Sequence, residues 1–338
     1  MDVSFHDRER EMERVMKILN SRPDLITFVY GPINSGKTEL FQQLVSTLSN
    51  EFVVFYVNLR GKFIRNYEDF IRVLFKFRKE SREQILREIL KETVKILGGI
   101  PVSESLLDAI LGKETKEDVF EFLEEFFTSV SKYRKPVLIL DELQVIGDLK
   151  IDDFLIYKIF NLFVRLTKEL HVCHVFAITS DSLFMERVYT EASLHGRCRY
   201  LLVDDFDYET TKSFLEKYGF SEDEIKLAWE YFGGKPVYLV EAVRERDRLR
   251  EFCEEMLRIR KRQIKDSIYS LDEDFRHAVL EILAQFREEE KITYEYLTEE
   301  LVWCMKNNIL FLDPVNELVK PQSRLDLLAL RRLLEELE

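Results

Sequence analysis

Eight residues carry the strongest chemical signal in the chain. Gly31-Pro32-Ile33-Asn34-Ser35-Gly36-Lys37-Thr38 match G-x-x-x-x-G-K-[ST] at every fixed position. The pattern asks for a loop that turns tightly enough to aim successive backbone N–H groups at phosphate, and glycine permits that turn. A helix starting at Lys37 adds its positive N-terminal end. Lys37 can reach the β- and γ-phosphates, and the Thr38 hydroxyl can ligate Mg²⁺. Gly31, Pro32, Asn34, Ser35, Gly36 and Glu39 are the expected lining of the cradle.

A second element is Val137-Leu138-Ile139-Leu140-Asp141-Glu142, an apolar strand that delivers two carboxylates at its C-terminal end. Open α/β sheets bind ligands along that edge. Asp141 is expected to hold Mg²⁺, and Glu142 to orient or deprotonate an attacking water. A third strand ends in Thr179-Ser180-Asp181. A hydroxyl there, at Thr179 before Ser180, can bond the γ-phosphate or the water. It can equally cap the next helix.

These groups need a scaffold that brings three strand ends to one edge. Short β-branched or aromatic runs at 25–30, 52–57, 137–140, 172–178 and 200–203 read as strands. Amphipathic stretches at 37–48, 154–170 and 182–189 read as helices between them. Alternation of this kind predicts a parallel sheet covered on both faces. One connection is long: 61–135 has a helical pattern at 67–79, 83–97 and 116–132, broken at Gly98-Gly99-Ile100-Pro101. Beyond Asp204 the strand signals fade. Helices are expected over 207–232, 236–246, 247–266, 275–286 and 294–306, then an extended pair at 309–312 and 317–320, then a helix at 325–337. Helices followed by a hairpin predict a winged helix.

Together these residues resemble an archaeal ATPase family within the AAA+/STAND group of P-loop NTPases, along nearly the whole chain. Phe5-His6-Asp7-Arg8-Glu9-Arg10-Glu11 is similar to the family's F-x-D-R-E-x-E box. The resemblance places that box, with Asp7 and Arg8, near adenine; the residues alone read as a charged helix start with Asp7 as N-cap. Leu194-His195-Gly196-Arg197-Cys198 resembles the Gly-Arg pair before the fifth strand. By analogy Arg197 stabilises γ-phosphate charge as an arginine finger does, or else it sits in a structural ion pair. Gly233-Gly234-Lys235-Pro236-Val237-Tyr238-Leu239 resembles the G-x-P motif of STAND proteins, in which Pro236 faces the nucleotide from a helical lid. No clear second-sensor arginine follows it, a departure that favours a nucleotide-controlled switch over a translocating motor.

The resemblance implies an AAA+/ASCE-type α/β fold with a five-stranded parallel sheet of order 5-1-4-3-2. It implies an ATPase core at 1–204 with a helical insertion at 61–135, a lid at 205–246, a connector helix at 247–270 and a winged-helix-like domain at 271–338. The ligands it implies are ATP or ADP with Mg²⁺. The expected activity is slow ATP hydrolysis by a regulatory ATPase whose nucleotide state controls conformation and self-association. Two rivals are a DNA-binding ATPase of the replication-initiator type and a scaffold that holds ADP.

Charge bears on the first rival. The chain carries 50 Lys+Arg against 63 Asp+Glu, a net −13, which argues against wholesale nucleic-acid or anionic-membrane binding. The imbalance is uneven. Residues 272–338 hold sixteen acids and eight bases, and the segment expected to read DNA, 298–308, has Glu299 and Glu300 against Lys306 alone. Residues 244–265 hold nine bases and five acids. This basic helix either contacts nucleic acid or anchors the acidic tail, and the anchor is favoured. The acidic domain is also a candidate surface for a protein partner. No run reaches the roughly 18 apolar residues of a membrane span. The first residues lack an apolar signal core, and four scattered cysteines form no CxxC pair. A cytoplasmic protein is expected.

Overall fold

The computed structural model describes residues 3–91, 96–103, 119–147 and 155–337. The starts of the helices expected at 116 and 154 lie outside those residues. The first strands in chain order are β1 (Ile26–Tyr30), β2 (Phe52–Asn58), β3 (Phe75–Arg78), β4 (Ile96–Leu97) and β5 (Ile100–Ser103). β6 (Lys135–Asp141), β7 (His174–Ile178) and β8 (Cys198–Leu202) follow.

The main sheet is parallel throughout, in the order β8-β1-β7-β6-β2-β4. Its first five members are the expected strands in the expected 5-1-4-3-2 order. Every residue of β1 and β7 is buried, as is all of β6 after Lys135, so these strands read as continuous apolar runs because helices cover both faces. On one face the helix Lys37–Thr47 lays down Leu40, Phe41, Leu44 and Val45, beside Val15 and Leu19 of the helix Glu9–Asn20. On the other face Phe126 and Phe127 of the helix Val119–Ser131 meet Phe55 edge-on, at centroid distances of 5.5 and 5.4 Å.

The insertion departs from the helical expectation. Its first helix, Tyr67–Leu74, is capped by the Asn66 side chain and stops at Leu74. Phe75–Arg78 then pairs in parallel with Ile100–Ser103 as a separate two-stranded sheet, and Ile96–Leu97 adds a short sixth strand beside β2. The apolar run Val73-Leu74-Phe75 continues the helical period, but aromatic residues at 75 and 77 suit a strand equally well. Buried Ile100 and Val102 supply the partner that decides it.

After β8 come the helices Tyr208–Lys217, Glu222–Phe232 and Pro236–Arg244, which share one apolar cluster around Phe214, Phe232 and Leu239. A 21-residue helix, Leu249–Tyr269, leads to the helix Glu273–Ala284, β9 (Ile292–Thr293), the helix Glu299–Lys306, β10 (Leu310–Asp313), β11 (Leu318–Pro321) and the helix Arg324–Glu335. These last strands form an antiparallel sheet, β10-β11-β9. Helices followed by a hairpin are present as expected. The helix expected from residue 294 starts later, because Ile292–Thr293 pairs with β11 and Thr298 caps Leu301 N.

The hairpin β10–β11 packs inward. Phe311 joins the core cluster of the main sheet, Tyr30 Oη donates to Asp313 Oδ1 (2.8 Å), and Lys320 pairs with Asp204 (2.6 Å). The basic helix docks on the acidic tail: Arg260 pairs with Asp326 (2.6 Å) and donates to Asn308 O (2.8 Å), and Lys261 pairs with Glu336. Among the described residues no helix is long and apolar enough to cross a membrane.

Candidate functional site

The phosphate loop leaves β1 at Tyr30 and turns on glycines. A Cβ on Gly31 would lie 2.1 Å from Val203 O, so the loop can nest against the end of β8 only with glycine there. Gly36, at φ 89°, caps the helix Lys37–Thr47 in the left-handed conformation that favours glycine, and the space beside its Cα is open. Asn34 is also left-handed, at φ 58°, a conformation that asparagine tolerates.

Lys37 folds back onto its own loop. Its ammonium donates to Gly31 O (3.0 Å), Pro32 O (2.8 Å) and Ser35 Oγ (3.4 Å). Burial, with a further push from neighbouring Lys235, lowers its pKa to about 7. Thr38 Oγ1 donates to Asp141 Oδ2 (2.8 Å), and Tyr56 Oη, from β2, donates to the same oxygen (2.5 Å). One hydroxyl and one carboxylate in contact make an all-oxygen pair that suits Mg²⁺, which usually takes few protein ligands and completes its shell with phosphate and water. Among the described residues no group of three or more His, Cys, Asp or Glu could hold a metal.

Glu142 follows at φ 62°, an uncommon backbone for glutamate, of the strained kind that clusters at functional sites. Arg60 holds its Oε1, and Gln144 Nε2 donates to its Oε2 (2.5 Å). Thr179 stands one residue further out: its hydroxyl donates to Gln144 Oε1 (2.7 Å) and accepts from Asp181 N (3.1 Å). Thr179 therefore reaches Glu142 through Gln144, while Ser180 lines the cavity itself.

Two cavities share Gly36, Glu39, Pro236, Val240 and Arg244. The first, about 280 Å³, is walled by Phe5, His6, Phe206 and Phe214, an apolar slot of the kind that takes a flat base. The second, about 440 Å³, is lined by Asn34, Lys37, Thr38, Arg60, Glu142 and Ser180. Arg8 borders the first slot, but its donors go to Glu11 Oε1 (2.8 Å), Ser35 O (2.8 Å) and Asp204 O (2.7 Å), with its guanidinium 4.5 Å from the Phe206 ring centroid. Asp7 does not cap the first helix. Arg8 occupies the N-cap position without a side-chain cap, and the Asp7 carboxylate accepts from Thr210 Oγ1 (2.9 Å).

Arg197 lies elsewhere. Its carbonyl accepts from Ile26 N (3.0 Å), at the start of β1, whereas the phosphate loop leaves the other end. At about 3.3 Å per residue the intervening strand separates them by roughly 15 Å, so Arg197 is absent from this chain's own site.

The sequence pointed to no arginine after the G-x-P segment, yet Arg244 lines both cavities. The signal was there: Pro236, Val240 and Arg244 recur every fourth residue and share a helix face. Arg60 and Tyr56 had no such marker, because only strand pairing brings β2 beside β6, whereas Gln144 stands two residues after Glu142.

Residues 5–242 match a family described as an ATPase domain predominantly from Archaea. Residues 250–334 match the C-terminal domain of an MJ1010-like uncharacterised ATP-binding protein. An uncharacterised ATP-binding protein of Pyrococcus abyssi is 52% identical, across 98% of both chains. One from Methanocaldococcus jannaschii is 47% identical, across 99% of both. Among solved structures, a Walker-type ATPase of Pyrococcus abyssi superposes with a TM-score of 0.64 at 17% identity, covering 97% of this chain and 96% of that one. The ORC2 protein of Aeropyrum pernix, solved with ADPNP and ADP, gives 0.51 at 12% identity, covering 99% and 95%. At those identities the two structures share the fold.

Proposed function

The chain belongs to the family of ATPase domains found predominantly in Archaea, and from that premise we propose that it binds ATP or ADP with Mg²⁺ and hydrolyses ATP slowly, as a STAND-type switch. The base enters the slot beside Phe5 and Phe206, and the phosphates lie on the loop amides and Lys37. Thr38 and Asp141 would hold the Mg²⁺, which would supply positive charge against the phosphate oxygens. Glu142 takes the proton of the attacking water as its oxygen bonds the γ-phosphorus and ADP departs.

The observation that carries this reading is the state of Glu142. Its two oxygens are engaged by Arg60 and Gln144 on the wall of the cavity that Lys37 also lines. A general base bound to an arginine is a resting base, so turnover waits on a rearrangement.

We take 1–204 as the core, 205–246 as a lid, 247–270 as a connector and 271–338 as a winged-helix-like domain, with separate apolar clusters around Leu239 and Val279 supporting the last divisions. Distance from its own site leaves Arg197 a structural role or one toward a neighbouring copy, and the second fits nucleotide-dependent self-association. DNA binding is disfavoured, since the hairpin that would serve as a wing packs against the core. The basic helix likewise spends Arg260 and Lys261 on the tail.

The test is phosphate release by the intact protein, with light scattering in ADP and in a slowly hydrolysed ATP analogue. Turnover below about 1 s⁻¹ is expected, at the low end of enzyme rates, with a larger particle in the ATP analogue. Tight ADP binding with no turnover would favour the scaffold, and an unchanged mass would remove ATP-driven assembly.

A further inference from the structure

The third residue of the phosphate loop, Ile33, is gripped from outside the core on both sides. Its N–H donates to Gln322 Oε1 (3.2 Å), and its carbonyl accepts from Lys235 Nζ (3.0 Å). Neither grip is loose. Gln322 is 4% exposed, its Nε2 donates to Leu310 O (3.1 Å), and its backbone N–H donates to Ile309 O (3.1 Å). Lys235, equally buried, lies 2.9 Å from Asp205 Oδ1. Gln322 directly follows β11, so the hairpin and the loop that cradles phosphate share a hydrogen bond.

Geometry fixes what this bond can do. A carboxamide oxygen is a neutral acceptor, so it orients the Ile33 peptide without placing negative charge beside a phosphate site. Because Gln322 spans from Ile33 to Leu310, a shift of the hairpin must either pull on the loop or break the bond. Two other polar contacts of the hairpin with the core, Tyr30 to Asp313 and Lys320 to Asp204, and the packing of Phe311 into the main-sheet cluster do not involve Ile33.

We propose that Gln322 is a positioning residue for the phosphate loop, through which docking of the C-terminal hairpin sets nucleotide affinity. The proposal rests on the nucleotide-site reading above. By linkage, bound nucleotide must strengthen hairpin docking by the factor by which docking strengthens binding.

Gln322→Met keeps the length and removes both bonds. Titration of the full chain with ADP and Mg²⁺ is expected to give a Kd raised about tenfold, with kcat for ATP changed less than about twofold. Amide exchange across 310–322 is expected to slow on ADP binding in the parent protein and to lose that response in the variant. Lys320→Ala, which loosens the hairpin but leaves Ile33 alone, is expected to speed hairpin exchange and keep its ADP response. Should Gln322→Met fail to fold, Gln322→Asn, one methylene too short to span both partners, is expected to shift Kd the same way. A folded Gln322 variant with parental Kd and an intact ADP response overturns the proposal. A parent protein that binds no ADP overturns the nucleotide reading instead.

Discussion

The two halves of the site differ in what holds them. On the cradle side, Arg8, Lys235 and Gln322 fix the phosphate loop from three other segments, and every one of them is buried. On the carboxylate side, Glu142 is tied to Arg60, whose side chain is 69% exposed. The loop is built to stay, whereas an exposed ion pair contributes about 0–1 kcal/mol and is easily exchanged. The loop backbone is held by buried contacts and the carboxylate by an exposed one, the division expected if the protein is the slow switch proposed above.

The comparison breaks most clearly at Glu142. Glu142→Gln keeps the shape and removes the base, so ATP turnover should fall by about 100-fold or more while ADP affinity holds. Loss of both together would mean that the carboxylate belongs to the cradle.

Next in size is a pH effect on the cradle. The free protein holds Lys37 with a pKa near 7, lowered chiefly by burial, so above pH 7 the amine is largely neutral. Phosphate restores the ammonium, and binding at pH 8 should take up close to one proton. Affinity should then weaken by up to about tenfold per pH unit above 7. Calorimetry in buffers of different ionisation enthalpy reads the uptake directly. The sign for folding runs the same way: this lysine binds fewer protons folded than unfolded, so its burden on the nucleotide-free fold is relieved as pH rises from about 7 toward 10.5.

Arg60→Ala sharpens the carboxylate side. Freeing Glu142 from an exposed partner should raise basal turnover by about fivefold, the equivalent of roughly 1 kcal/mol; a fall would make Arg60 part of the chemistry. Smallest is Arg197→Ala. In dilute protein it should leave ADP affinity and turnover unchanged, with a deficit appearing only as concentration rises. A loss in dilute monomer would contradict its place at the far edge of the sheet.

Much of the cradle was legible because its chemistry admits few residues. Gly31 is forced by the approach of Val203 O, Gly36 by its φ, and Lys37 by reach. The order of the five main strands came with the family resemblance and stands. What escaped was set by pairing at long range. Phe75 and Phe77 could be helix or strand until Ile100 and Val102 came alongside. Thr179 sat at the right strand end, but Gln144 interposes and Ser180 takes the cavity wall. Gln322 and Arg60 carried no local signal, since each acts on a residue far away in sequence. Arg244 alone could have been found by counting along one helix face.

The inward hairpin has a consequence for any molecule that seeks it. Phe311, Asp313 and Lys320 are already engaged by the core of the same chain, and the helix Leu249–Tyr269 tethers them to that core. A tethered competitor acts at an effective concentration on the order of millimolar when the geometry allows contact. An outside partner that needs this surface must outcompete the internal occupant, and its affinity for the freed domain will exceed its affinity for the whole chain by a factor set by that effective concentration divided by the intrinsic dissociation constant of the internal contact.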